Sequence, residues 1–88
     1  MNEDIRKIAN YYGLHKQFRQ TVEEMAELTQ VICKAERYDL DTVRDHLVEE
    51  VADVSIMIDQ IVYLLGDNMI AKIREEKIKR QLERIKNG

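Results

Sequence analysis

The stretch LVEEVADVSIMIDQIVYLL, residues 47–65, decides the fold. It holds neither Pro nor Gly, and its apolar residues sit on two sides of a helix rather than one. At about 100° per residue, Leu47, Val51, Val54, Ile58, Ile61 and Leu65 fall on one stripe, while Ala52, Ile56 and Tyr63 fall roughly opposite. A helix that is apolar on two sides needs cover on both. One face is expected to pack inside the chain and the other against a second copy, with a long fourth helix as the alternative cover. Working outward, this helix is expected from about Thr42 to Leu65, ending at Gly66-Asp67-Asn68. Asp39 or Asp41, in the turn before it, can cap its free amides. Upstream, Phe18, Val22, Met25, Leu28 or Thr29, and Ile32 recur at three- and four-residue spacing, which predicts a helix over His15 to Arg37 with that stripe buried. A first helix over Glu3 to Tyr12 stops at Gly13. A fourth, from Met69 to Lys86, carries Ile70, Ile73, Ile78 (or Lys77), Leu82 and Ile85. Cys33, among apolar neighbours, reads as core. The expected fold is all-α, one domain over residues 1–88.

Composition bounds the function. With 44% hydrophobic and 35% charged residues, the chain is too apolar for a disordered tail and too charged for a membrane span. Its longest weakly charged run, Val54 to Leu65, is short and broken by Asp59. A single cysteine excludes an intrachain disulfide framework and a cysteine-based zinc site, and suits a reducing cytoplasm. No secretion signal is read at the N-terminus. Eighty-eight residues bury a marginal core alone, so a homodimer or tetramer is expected. The net charge of −3 is unevenly spread: residues 1–71 hold 14 acids and 7 bases, residues 72–88 hold 7 bases and 3 acids. An acidic body with a basic tail segment is not a nucleic-acid footprint, where basic surface dominates the domain. It fits a site that needs both signs.

Two clusters carry chemistry: Glu23-Glu24-x-x-Glu27 and Glu49-Glu50-x-x-Asp53. Residues three apart share a helix side, so Glu24 pairs with Glu27 and Glu50 with Asp53. A lone E-x-x-E is ordinarily a solvated face. Here both pairs border apolar stripes, and no base four residues on neutralises them. If the second and third helices pack antiparallel, four carboxylates converge at a half-buried seam, at a cost of several kcal/mol per uncompensated ion. A divalent cation offsets that cost. All-oxygen ligation points to Mg²⁺, with Mn²⁺ as a substitute, rather than zinc, and magnesium leaves coordination positions for substrate phosphates. A di-iron carboxylate bundle is disfavoured, because it needs Glu-x-x-His on two helices and His46 has no such partner motif.

The pattern E-E-x-x-E, a gap, then E-x-x-D resembles the MazG-type all-α nucleoside triphosphate pyrophosphohydrolases. Matching context extends from Gln17 through Leu28 and Ala52-Asp53-Val54 to Lys77-x-x-Arg80-Gln81-Leu82-x-x-Ile85. The resemblance implies a four-helix bundle completed by oligomerisation. It also implies Mg²⁺-dependent cleavage of a (d)NTP between the α- and β-phosphates, giving the monophosphate and pyrophosphate, as in house-cleaning of the nucleotide pool. On that resemblance, Glu24, Glu27, Glu50 and Asp53 bind the metal. Glu24 or Glu27 is the expected general base, and Glu23 either orients a ligand or is a surface residue. Lys77, Arg80 and Arg84 share one side of the fourth helix and suit the β/γ-phosphates, or else form an ordinary basic helix end. Gln17 is a candidate pocket residue within the cluster Tyr11, Tyr12, His15, Gln17 and Phe18, which offers rings for a base, although Phe18 is expected mainly in the core. Tyr38 and Tyr63 read as interface or core. The alternative is a non-catalytic helical module whose acids bind a basic partner.

Overall fold

Four helices follow one another in the computed structural model, which describes residues 2–88: α1 Glu3–Tyr12, α2 Leu14–Arg37, α3 Leu40–Leu65 and α4 Met69–Asn87. Helices take up 91% of the described residues, so the all-α class holds. The breaks fall where the chemistry of the backbone puts them. Asn2 caps α1, its side-chain oxygen accepting from the Asp4 amide at 2.7 Å. Gly13, at φ 84° and ψ 165°, lies in a region that only glycine enters easily, so one residue both ends α1 and begins α2. Gly66, left-handed at φ 61°, closes α3 by donating its amide to the carbonyls of Val62 and Tyr63. Asp39 rather than Asp41 caps α3, which therefore starts at Leu40, two residues before the expected Thr42.

The short link Tyr38-Asp39 folds α2 and α3 into an antiparallel hairpin, the main packing interface; α1 lies against α3 and, less extensively, α2. The hairpin seam differs from the expected one. The less exposed residues of α2 are Gln17, Thr21, Glu24, Leu28, Val31 and Ala35, and from α3 come Val43, Leu47, Glu50, Val54, Met57, Ile61 and Leu64, both series stepping alternately by three and four. The stripe expected inside α2, namely Phe18, Val22, Met25 and Ile32, is exposed, as are Val51, Ile58 and Leu65 of α3. The apolar surface of each helix is wider than one seam, and the hairpin covers the neighbouring series. Cys33 and Tyr38 are exposed too, so neither is core, whereas Tyr63 is half-buried and exchanges hydrogen bonds with the Asn10 amide at 2.9 and 3.1 Å.

The buried interior mixes Ala9, Val31 and Met57 with four polar residues, Gln17, Thr21, Glu50 and Gln60. Gln17 donates to the Gln60 side-chain oxygen at 2.7 Å, and the Thr21 hydroxyl donates to the Gln17 carbonyl at 2.6 Å. The two buried amides thus pair with each other across the hairpin.

α4 does not supply the cover that α3 needs. It buries none of its residues and forms no extensive interface with α1, α2 or α3. The radius of gyration is accordingly 16.0 Å, against about 12 Å for a globular chain of this length. No helix of the described residues is long and apolar enough to cross a membrane.

Candidate metal centre

The spacing of the acids becomes geometry in the middle of the hairpin. Glu24 and Glu50 occupy seam positions on facing helices, and Glu27, one turn after Glu24, flanks the seam. Carboxylate oxygens from Glu24, Glu27 and Glu50 all lie within 4.8 Å of one another. Glu50 is buried at 8% exposure, Glu24 is half-buried and Glu27 is exposed.

The same arrangement holds both seam acids. Four residues before Glu24, the Gln20 amide donates to Glu24 Oε1 at 2.9 Å. Four residues before Glu50, His46 Nε2 lies 3.4 Å from Glu50 Oε1. Each acid thus has one oxygen engaged from its own helix, one turn back. The second oxygens, Glu24 Oε2 and Glu50 Oε2, are buried and have no hydrogen-bond partner. A buried carboxylate oxygen without a donor is rare because its lost hydration is uncompensated. Here two occur in one carboxylate cluster. At a separation of 4.8 Å, two carboxylate charges repel by about 3.5 kcal/mol at an effective dielectric constant of about 20.

Such a cluster fits a small hard cation. Its donors are all oxygen, two of its acids each keep a buried oxygen unclaimed, and the third acid is open to solvent. Gln20 and His46 complete it by fixing the carboxylates from behind. Neither was picked out from the sequence as a member of the site, although the signal was present: each stands four residues before a seam acid, on the same helix side.

The other expected site residues are placed differently. Asp53 is exposed and does not belong to the three-acid group. Glu23 is also exposed. Gln17 is committed to the buried amide pair with Gln60. Lys77, Arg80 and Arg84 lie exposed on α4, away from the hairpin's packing. Phe18 is 40% exposed and meets His15 edge-to-face, with centroids 6.2 Å apart, and Tyr11 stacks edge-on against Tyr12 at 4.9 Å. A shallow surface cavity of about 390 Å³ is lined by His15, Lys16, Arg19, Gln20 and Glu23, so it adjoins the acids through Gln20. In comparisons with protein-family models, curated proteins and solved structures, nothing matches this chain.

Proposed function

We propose that this chain is a Mg²⁺-dependent nucleoside triphosphate pyrophosphohydrolase, working as a homo-oligomer on the nucleotide pool of the cytoplasm. The observation that carries the reading is the buried, unpartnered oxygen that each of Glu24 and Glu50 keeps within a three-carboxylate cluster. A structural glutamate in a helix seam is expected to have both oxygens engaged or solvated. These two have one oxygen held and one reserved.

Glu24, Glu27 and Glu50 would hold the ion, which when bound neutralises phosphoryl oxygens and favours attack at phosphorus. Gln20 and His46 keep the two seam carboxylates in one orientation before any ligand arrives. Glu27, the most accessible of the three, has room to accept the proton of an attacking water. Lys77, Arg80 and Arg84 supply the positive charge for the β- and γ-phosphates. Cleavage between the α- and β-phosphates is drawn from the E-E-x-x-E…E-x-x-D resemblance. Oligomerisation is supported by the exposed apolar stripes of α2 and α3.

The test is pyrophosphate release from a panel of ribo- and deoxynucleoside triphosphates with Mg²⁺ or Mn²⁺. The expected result is metal-dependent release that falls at least 100-fold in Glu50→Gln. Inactivity with every nucleotide, together with no thermal response to either metal, would leave the acids as a docking surface for a basic partner.

A further inference from the structure

The isolated chain exposes 7323 Å² at a mass of 10.4 kDa. A folded monomer of that mass exposes about 5,400 Å², so roughly 1,900 Å² per chain remains uncovered beyond the ordinary amount. That is the area each partner gives up in an obligate dimer, where the total runs from about 2,000 to 5,000 Å².

The largest uncovered element is α4, and its chemistry complements the hairpin. α4 carries 7 bases and 3 acids, against 7 bases and 14 acids in the rest of the chain. Met69, Ile73, Ile78, Leu82 and Ile85 are exposed along it. At about 100° per residue, Lys77, Arg80 and Arg84 share one edge beside Ile73. On the hairpin, Glu27 of α2 and Asp53 of α3 flank the seam on the same side, because antiparallel helices turn in opposite senses when viewed from one end. That flank is acidic; the opposite flank is the exposed apolar one of Phe18, Val22 and Met25 with Val51 and Ile58. A helix without an extensive interface in its own chain, and with a net charge opposite to that of its own body, has its counterpart on another copy.

We propose that α4 crosses to a second copy of the chain and lies along the acidic flank of that copy's hairpin, setting its Lys77 and Arg80 beside Glu24, Glu27 and Glu50. The phosphate-binding cations and the metal-binding carboxylates of each site then come from different chains, and a monomer holds only half a site. The cations also offset the repulsion among the three acids before substrate enters. This rests on the hydrolase reading for the role of the site, but the docking itself does not require catalysis.

The experiment uses the full chain, made with ¹⁴N and with ¹⁵N, mixed one to one after unfolding and refolded together. A zero-length carbodiimide then joins lysines to carboxylates in contact, and mass spectrometry reads each crosslinked peptide. Links from Lys77 to Glu27 or Asp53 are expected, with about half of them joining a light to a heavy chain, as random pairing of a two-fold dimer dictates. If such links occur only within like-labelled chains, or sedimentation shows a monomer at all concentrations, the exchange of α4 is overturned. A second arm mixes Glu50→Gln with Lys77→Ala/Arg80→Ala, each nearly inactive alone. Separate chains at each site predict recovery of about one quarter of wild-type activity, since half the dimers are mixed and one of their two sites is intact. No recovery, with mixed dimers demonstrated by the label, overturns the proposal. A chain inert toward all nucleotides that still gives mixed-label links loses the hydrolase reading and keeps the docking.

Discussion

Replacing Glu50 by Gln is expected to make the protein more stable without metal and indifferent to magnesium. Glu50 brings an oxygen within 4.8 Å of oxygens from both Glu24 and Glu27, and one of its own oxygens is buried without a partner. Each contact at that distance costs about 3.5 kcal/mol at an effective dielectric constant of about 20, and solvent at the exposed Glu27 screens its share. Removing the charge while keeping the shape therefore relieves about 2 to 4 kcal/mol. For a domain of this size that raises the melting midpoint by on the order of 10 °C or more. The assay is calorimetry in EDTA and in Mg²⁺ at one fixed protein concentration, since association also moves the midpoint. Wild type gains about 2.7 kcal/mol when Mg²⁺ reaches 100 times its Kd, and the variant gains little. A Glu50→Gln protein less stable than wild type in EDTA, or a wild type unmoved by Mg²⁺, refutes the reasoning, because then the carboxylate is structural and its charge is already compensated.

Asp53→Asn is expected to weaken Mg²⁺ binding less than Glu50→Gln, since Asp53 is exposed and stands outside the three-acid group; titration calorimetry of the two variants gives the comparison. Gln17→Ala strands the Gln60 amide in the interior and costs about 1 to 3 kcal/mol, while the double change Gln17→Leu/Gln60→Leu costs distinctly less than twice that, as read from urea midpoints. Gly66→Ala costs about 1 kcal/mol at its left-handed φ of 61°. Gly13→Ala, at φ 84° and ψ 165°, costs on the order of 1 to 3 kcal/mol, so the two denaturation curves should separate in that order.

Helix ends were legible because they depend on single residues with strong local preferences. Gly13 and Gly66 break the chain where expected, and Asp39 caps α3. Which stripe turns inward was not legible. α2 and α3 each carry two adjacent series at helical spacing, and the more apolar one, with Phe18, Val22 and Met25, was the natural choice for the core. The hairpin buries the other, whose Gln17 finds Gln60 forty-three residues away, a pairing that hydropathy does not encode. The acids were legible only in part: Glu24 and Glu50 belong to the buried series itself and Glu27 follows Glu24 by one turn, whereas Asp53, at the same spacing from Glu50, stays exposed and outside the group. The detachment of α4 was hidden, because an amphipathic basic helix looks the same whether its counterpart lies in its own chain or another.

The amide bond between Gln17 and Gln60 has a mechanical consequence. A purely aliphatic hairpin can slide by a heptad, about 10 Å along its axis, and still bury nearly as much surface. Sliding this one costs the bond between the two buried amides. The pin at the Gln17–Gln60 level thus holds a vernier for the carboxylates two turns along α2: where the amides lock, Glu24 and Glu50 are held within reach of each other by the register of the hairpin alone.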